Sequence, residues 1–135
     1  MIKYQSSTKG ITAKQLEGFF AEWPKRPSPQ THLKLLKKSA YVLIAMDTEK
    51  NKVAGFITAI TDGVLTAYIP FLEVHKEYQS RGIGSKLIKR MLAKLHNFYI
   101  IDLACDPELQ DFYKKFGMKK YTAMIIRNYE HQTGE

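Results

Sequence analysis

Residues 68–95 read YIPFLEVHKEYQSRGIGSKLIKRMLAKL, and the centre of this stretch is Gln79-Ser80-Arg81-Gly82-Ile83-Gly84-Ser85. The residues from Ala67 to Val74 are rich in aromatic and β-branched types and carry no charge before Glu73, which predicts a buried strand. After the centre, apolar residues recur at spacings of three and four, which predicts one apolar face of a helix. These residues are Ile83, Leu87, Ile88, Met91, Leu92 and Leu95. The stretch therefore predicts a strand, a glycine loop and an amphipathic helix in succession.

The glycine loop has the chemistry of a phosphate-binding site. Gly82 and Gly84 allow the backbone to turn and let a ligand approach without a Cβ atom in the way. A loop that enters a helix gathers unpaired backbone N–H groups at the positive end of the helix dipole, which favours phosphate. The basic residues around it are Lys76, Arg81, Lys86, Lys89, Arg90 and Lys94. They either serve an anionic ligand with several phosphates or form a solvated basic helix face.

Two motifs in this chain resemble those of the GNAT superfamily of N-acetyltransferases. The pattern Gln-x-x-Gly-x-Gly, preceded by the strand end Leu72-Glu73-Val74, resembles the acyl-CoA loop of that family. Downstream, the segment Phe112-Tyr113-Lys114-Lys115-Phe116-Gly117-Met118 resembles the family's Phe-Tyr-x-x-x-Gly-Phe segment, with Met118 in place of the usual Phe. Both motifs stand in the family's order and separation, and strands can be placed around them through the whole chain.

The resemblance implies an α/β (α+β) fold with a mixed, mostly antiparallel central sheet. About six to seven strands are expected, flanked by about four helices, with one parallel pair of strands splayed at the cofactor site. The strands that end at Val74 and Cys105 should form this pair, because a strand, a crossover helix and a strand make a right-handed parallel unit. A chain of 135 residues suits one core, so residues 1–135 are expected to form a single GNAT-type domain.

Local signals predict the other elements. Thr12 and Gln15 suit a capping box that starts a helix, and Pro24 ends that helix. Asp62-Gly63 is the strongest hairpin signal in the chain. The predicted strands cover residues 2–6, 41–46, 53–60, 64–74, 99–105 and 119–128. The predicted helices cover residues 12–23, the residues after the cap Ser28, residues 82–96 and residues 106–116.

The resemblance also implies which residues bind acetyl-CoA. The pyrophosphate would receive N–H groups from the loop Ser80 to Ser85, with side-chain contacts from Gln79 and Arg81. The pantetheine arm would pair like an extra strand with the backbone near Leu72 and Val74. Asp106 stands where many relatives carry an asparagine that contacts the cofactor or the reacting amide, although a helix N-cap explains it equally well. The expected cofactor-binding set is Leu72, Val74, Gln79, Ser80, Arg81, Gly82, Ile83, Gly84, Ser85 and Asp106.

Tyr113 is the expected catalytic residue, through its match to the tyrosine of the family's Phe-Tyr segment. A phenol near the departing sulfur can donate a hydrogen bond or a proton to it. The sequence identifies no general base. The stretch Tyr68-Ile69-Pro70-Phe71 offers none, Glu73 should point to the other face of the strand, and His75 is expected to face solvent. A water-relayed base, a backbone carbonyl or an acceptor amine of low pKa would each fit.

Other reactive side chains are assigned structural roles. Asp62 belongs to a turn, where aspartate usually serves backbone geometry. Cys105 has no evident histidine partner and is not expected to act as a nucleophile. His32, His75, His96 and His131 show no metal-ligand spacing, so no metal is expected.

The composition favours a small globular protein. The chain is 44% hydrophobic and 25% charged, and it has no apolar run near the roughly 20 residues of a membrane span. Its start lacks the apolar region of a signal peptide, and Cys105 is the only cysteine, so a reducing cytoplasm is expected. The net charge of +8 also suits nucleic-acid binding, but no nucleic-acid-binding signature is visible.

The leading functional hypothesis is transfer of an acetyl group from acetyl-CoA to a primary amine, directly within a ternary complex. A small-molecule acceptor with an apolar or aromatic body is favoured, because Phe19, Phe20 and Trp23 form an aromatic stripe that lines either the acceptor pocket or the core. The alternative is a non-catalytic acyl-CoA-binding sensor, which the missing base favours. A homodimer through the C-terminal strands is possible, as in many relatives.

Overall fold

Five strands form one sheet in the computed structural model, which describes all 135 residues. The strands are β1 (Ile2–Gln5), β2 (Tyr41–Asp47), β3 (Lys52–Thr61), β4 (Thr66–Val74) and β5 (Ile100–Asp102), and they lie in the sheet in this order. The strands from β1 to β4 pair antiparallel in succession, and β4 and β5 pair parallel. The α-helices are α1 (Pro29–Lys38), α2 (Ile83–Lys94) and α3 (Gln110–Lys114).

The hairpin between β3 and β4 forms at the predicted Asp62-Gly63 pair. The Asp62 carboxylate accepts hydrogen bonds from the backbone N–H groups of Val64 and Leu65, both at 2.9 Å, and of Thr66 at 3.2 Å. These bonds hold the pKa of Asp62 below its usual range. Gly63 has a φ of 77°, which glycine adopts without steric cost. The assignment of Asp62 to backbone geometry is therefore confirmed.

The sheet opens between β4 and β5. Parallel pairing runs only from Thr66 opposite Ile100 to Tyr68 opposite Asp102, after which β4 continues to Val74 without a partner on that side. Helix α2 connects the two strands, as the strand, loop and helix pattern predicts. The predicted splayed pair is therefore present, and it leaves the carboxyl-terminal half of β4 with a free backbone edge.

Apolar side chains pack on both faces of the sheet. One core contains the predicted apolar face of α2, with Leu87, Ile88 and Met91 fully buried. The other core lies under α1, where Leu36 packs with Phe19, Phe20 and Phe56. Helix α1 begins as predicted, because the Ser28 hydroxyl accepts from the Thr31 N–H at 3.1 Å and proline occupies the first helical position.

The predicted helix over residues 12–23 is wrong. Gln15 does accept from the Thr12 N–H at 2.9 Å, but the element is a 3-10 turn of four residues, Ala13–Leu16. Gly18 and Phe20 then adopt φ angles of 93° and 58°, which no helix allows. Distant contacts described below favour this conformation over the local helical pattern.

The predicted final strand over residues 119–128 is also wrong. Residues 118–128 form no strand, and their backbone N–H groups donate no hydrogen bond within the chain. The neighbouring edge strand, β5, is only three residues long and offers little to pair with. The sheet thus has five strands rather than six to seven, and three α-helices flank it rather than four. No helix in the chain has the length and apolar character needed to cross a membrane.

Candidate active site

A cleft of about 850 Å³ lies where β4 and β5 part. The unpaired end of β4 forms one wall, and the residues that follow β5 form the opposite wall together with Tyr113 of α3. The segment Gly18–Trp23, which we call the aromatic strap, closes a third side. Of the predicted site residues, the cleft brings together Leu72, Val74, Gln79, Asp106 and Tyr113.

The glycine loop lies beside this cleft and offers free backbone donors. Residues 80–85 donate no backbone hydrogen bond within the chain, and Gly82 forms the N-cap of α2 with a φ of 79°. A Cβ atom on Gly82 would meet nothing within 4 Å, so the space in front of the loop is open. Ser80 also has a positive φ, 66°. These free N–H groups converge at the start of a twelve-residue helix, which is the geometry that binds phosphate.

The remaining loop residues differ in exposure. The side chain of Ile83 is buried in the core, so only its backbone can face a ligand. Gly84 is half-buried, and a Cβ atom at this position would lie 3.5 Å from the Val74 side chain and 3.8 Å from the Phe112 ring. Ser85 is half-buried in the first turn of α2.

Two polar side chains at the start of the glycine loop are anchored to the protein. The Gln79 amide donates to the Val74 carbonyl at 3.3 Å, which joins the loop to the end of β4. The Arg81 guanidinium lies 5.3 Å from the centre of the Tyr78 ring, a cation–π distance. The Tyr78 hydroxyl in turn donates to Asp47 at 2.6 Å, and burial raises the pKa of Tyr78 to about 12. Gln79 thus lines the cleft, whereas Arg81 is held against Tyr78 and is not part of the cleft lining.

Tyr113 is half-buried in the cleft wall. Its ring packs edge-on against Phe112 at 5.0 Å, and burial raises the pKa of its phenol to about 12, with Cys105 as a smaller cause. The phenol therefore stays protonated at neutral pH and can donate a hydrogen bond. Because a thiol has a pKa near ~8.5, hydrogen bonding to a departing thiolate is more favourable than full proton transfer.

Asp106 and Cys105 follow β5 along the same wall. Asp106 occupies the N-cap position of a 3-10 turn, Pro107–Leu109, but its side chain makes no capping hydrogen bond and is exposed. The cap explanation for this residue is therefore incomplete. Burial raises the pKa of the Cys105 thiol, and the carboxylates of Asp106 and Glu108 raise it further. A thiol of raised pKa is a poor nucleophile at neutral pH.

Glu73 lines the cleft, although strand alternation predicted that it would point to the other face. Its carboxylate lies in the cleft and accepts the backbone N–H of Phe20 with both oxygens, at 3.1 and 3.0 Å. Burial raises the pKa of Glu73, the bond from Phe20 lowers it, and the nearby Glu22 raises it. Glu73 and Leu72 do point to opposite faces of β4. Beyond Tyr68, however, no strand pairs with the β5 side of β4, and both side chains line the cleft that opens there.

The prediction that His75 faces solvent is wrong. His75 is only 3% exposed, and its ring packs edge-on against Phe19 at 5.3 Å. Its Nδ1 accepts from the Glu77 N–H at 3.2 Å. Burial lowers the pKa of His75, and the charge of Lys52 lowers it further. Gly18 and Phe19 of the chain before α1, together with Tyr78 of the 3-10 turn Lys76–Tyr78, enclose the ring.

The aromatic strap is packed by distant residues. Phe19 and Phe20 are each 3% exposed, so core packing accounts for both, while Trp23 is half-buried and lines the cleft. A glycine within an aromatic stripe, at Gly18, was the available signal that the helix would break there. A Cβ atom at Gly18 would lie 2.3 Å from His75 Nε2, so this position requires glycine.

No three His, Cys, Asp or Glu residues lie close enough together to hold a metal ion. The cleft and the adjoining glycine loop present backbone N–H donors, a protonated phenol and the carboxylates of Glu22 and Glu73.

The chain belongs to the GNAT family of acetyltransferases. The sequence model of the acetyltransferase (GNAT) family matches residues 9–118. An uncharacterized N-acetyltransferase, ycf52, of Pyropia yezoensis is 30% identical over 122 residues, which are 87% of this chain and 70% of that protein. The fold, the glycine loop and these relatives together define an N-acetyltransferase.

Solved structures and a plant relative agree with this assignment. A candidate acetyltransferase from Deinococcus radiodurans R1 superposes with a TM-score of 0.94 at 39% identity, covering 98% of this chain and 92% of that one. A GNAT family protein from Streptococcus pneumoniae TIGR4 shares the fold with a TM-score of 0.74 at 24% identity, over 95% and 98% of the two chains. GCN5-related N-acetyltransferase 1, chloroplastic, of Arabidopsis thaliana is 28% identical over 82% of this chain and 58% of that protein.

Proposed function

We propose that this chain transfers an acetyl group from acetyl-CoA to a primary amine, and that residues 1–135 act as one catalytic domain. The observation that carries the proposal is the cleft between β4 and β5, with free backbone N–H groups at one side and a protonated phenol in its wall. The free N–H groups suit an anionic carrier, the unpaired edge of β4 suits an extended arm, and the phenol suits a thiolate leaving group.

The cofactor-binding residues divide by the part of acetyl-CoA that they would hold. The N–H groups of residues 80–85 suit the pyrophosphate, and Gln79 and Arg81 add polar side chains beside it. The free edge of β4 near Leu72 and Val74 suits the amide groups of the pantetheine arm, which would pair with it as a further strand. Asp106, which is exposed on the opposite wall, would contact the arm or the acetyl group. The open space in front of Gly82 is consistent with a ligand there.

Tyr113 would stabilise the leaving group. Its pKa of about 12 keeps the phenol protonated across the physiological range, so it can donate a hydrogen bond as negative charge develops on the sulfur. Transfer would be direct within a ternary complex. The raised pKa of the Cys105 thiol argues against an acyl-cysteine intermediate.

The acceptor is proposed to be a small primary amine with an apolar or aromatic body. The strap side of the cleft combines Trp23 with the carboxylate of Glu22, which suits a cationic amine on an apolar frame. Glu22 is the one charged residue of the strap, although the whole chain has a net charge of +8. Nucleic acid is a less favoured ligand, because an anionic cofactor would account for the basic residues around the glycine loop.

We also propose a homodimer and a reducing cytoplasm as the setting. Tyr121, Met124 and Ile126 are 95%, 98% and 84% exposed, and the backbone of this segment is unpaired, so a second copy would cover it. Sedimentation of the wild type against Met124→Asp tests this, because only the wild type should dimerise.

The single cysteine suits a reducing compartment, although one relative is named as chloroplastic.

Thermal unfolding with and without acetyl-CoA, followed by thiol release against a panel of primary amines, tests the function. A ligand that binds only the folded protein raises its melting temperature by mass action. A shift with thiol release on one amine supports the proposal and identifies the acceptor class. The absence of a shift at saturating acetyl-CoA would exclude the cofactor assignment, and a shift without release from any amine would indicate a non-catalytic sensor.

A further inference from the structure

We propose that Glu73 is a positioning residue, whose hydrogen bond to the Phe20 N–H holds the aromatic strap in place as the acceptor side of the cleft. The inference rests on the proposed function, because it takes this side of the cleft as the place where the amine binds. It assigns to Glu73 a role exercised through Phe20 and the strap.

The contact between Glu73 and Phe20 is well formed. Both carboxylate oxygens lie within hydrogen-bond distance of one backbone N–H, at 3.1 and 3.0 Å, across 53 residues of sequence. The carboxylate is half-buried at the end of β4, the rigid strand that also borders the glycine loop. Because a backbone N–H enclosed without a partner is costly, this bond strongly favours the observed strap conformation over others.

The strap needs such a restraint because its backbone is strained. Phe20 is not glycine, yet its φ is 58°, in the left-handed region that side chains disfavour. The chain then turns tightly, with the Trp23 N–H donating to the Phe20 carbonyl at 3.0 Å. Without the carboxylate, Phe20 would lose the bond that compensates for this strain.

The strap conformation determines what faces the amine. Phe20 packs against Trp23 at 4.8 Å and against Phe71 of β4 at 5.8 Å between ring centres. This packing leaves Ala21, Glu22 and Trp23 on the cleft side of the strap. A change at Phe20 would therefore move the acceptor wall, while the glycine loop and Tyr113 lie on other elements and would stay in place.

The test compares Glu73→Ala and Glu73→Gln, with Glu49→Gln on an exposed turn as the control. Glutamine keeps an oxygen of similar reach that can accept the Phe20 N–H but cannot act as a base. Hydrogen exchange of the Phe20 amide, measured by NMR without any ligand, should accelerate roughly 10- to 100-fold in Glu73→Ala and much less in Glu73→Gln. Glu49→Gln should exchange like the wild type.

The second readout is turnover of acetyl-CoA with 2-phenylethylamine, a primary amine with an aromatic body, as the probe. Glu73→Ala should raise KM for the amine about tenfold or more while kcat and the affinity for acetyl-CoA change little, and Glu73→Gln should restore most of the loss. Unchanged Phe20 exchange in Glu73→Ala would overturn the proposal. A fall in kcat that is equal in both variants, with KM preserved, would make Glu73 a general base and would overturn it too.

Failure of the proposed function has a different signature. A wild-type chain that neither binds acetyl-CoA nor turns over any amine would remove the acceptor role. The exchange experiment on Phe20 would still decide whether Glu73 restrains the strap, because that measurement needs no ligand.

Discussion

The glycine loop and the aromatic strap border the same cleft but are held in shape by different forces. The loop, residues 80–85, takes its shape from glycine at Gly82 and from the start of α2, and its backbone donors stay free. The strap, Gly18–Trp23, takes its shape from residues far along the chain, chiefly Glu73, His75 and His32. Local sequence therefore controls one side of the cleft, and tertiary contacts control the other.

This difference separates two tasks. A loop that binds phosphate must keep its donors unpaired, so its shape has to come from the backbone itself. A strap that selects an acceptor can be rebuilt by changes at its distant anchors without disturbing the loop. The comparison predicts that mutations on the strap side act on stability and on the acceptor, whereas mutations in the loop act on acetyl-CoA.

Gly18→Ala is expected to have the largest effect, on the strap. Alanine would be strained at a φ of 93°, and its Cβ would lie 2.3 Å from Nε2 of the buried His75. The free energy of unfolding, measured in urea, should fall by about 3 kcal/mol or more. The control is Gly63→Ala, which has a φ of 77° but open space around the Cβ, and it should cost only about 1 kcal/mol. Equal losses in the two variants would contradict the packing of the strap against His75.

His32→Phe should remove part of the pH dependence of the free energy of unfolding, because His32 is buried beside the strap. His32 is 1% exposed among Phe19, Phe20 and Phe56, its ring nitrogens have no hydrogen-bond partner, and burial lowers its pKa to about 4. As the pH falls, His32 binds a proton in the unfolded chain before it does so in the folded chain. The contribution of the neutral His32 ring to the free energy of unfolding is therefore fully present above about pH 6.5 and is lost as the pH falls toward 4. Urea unfolding should show about 2–3 kcal/mol less loss over that range in His32→Phe than in the wild type.

The matched control for that measurement is His131→Phe, which replaces an exposed histidine. It should keep the wild-type pH dependence. His75, whose pKa burial also lowers, should leave a smaller dependence of the same sign in both variants. An unaltered pH profile in His32→Phe would mean that His32 does not stay neutral in the folded protein.

Tyr113→Phe tests the chemistry between the two regions. Removing the hydroxyl removes the hydrogen-bond donor to the departing sulfur, so kcat in the thiol-release assay should fall about 10- to 100-fold. The affinity for acetyl-CoA should not change, because the ring remains. Tyr99→Phe, at an 83% exposed tyrosine, is the control. Full activity of the Tyr113 variant would remove this residue from the mechanism.

Gly82→Ala tests the loop with the smallest expected change. Its Cβ would project into open space, so the fold should be weakened only by about 1 kcal/mol of backbone strain. Acetyl-CoA affinity, measured by calorimetry, should fall about tenfold, because the Cβ obstructs the approach of phosphate to the free N–H groups. Gly63→Ala has the same strain away from the cleft and should bind normally. Unchanged affinity in Gly82→Ala would remove the loop from the cofactor site.

Most of the fold could be predicted because its signals are local. The hairpin at Asp62-Gly63, the cap at Ser28 and the apolar face of α2 each depend on residues close together in sequence, and each is confirmed. The predicted strand over residues 119–128 failed because strand composition does not supply a partner, and the three-residue β5 offers too little edge. The family profile and relatives confirm the class of protein, while the individual site residues remain proposals.

The sequence by itself determined the strand, loop and helix around Gly82, because backbone conformation and helix initiation there depend on neighbouring residues. Only the tertiary structure decided the shape of the aromatic strap and the surroundings of His75. A helix over residues 12–23 satisfied the local pattern, but Glu73 accepts the Phe20 N–H, and His32 and His75 flank Phe19. Those contacts join residues up to 56 positions apart, from Phe19 to His75, and they exist only once the sheet has formed.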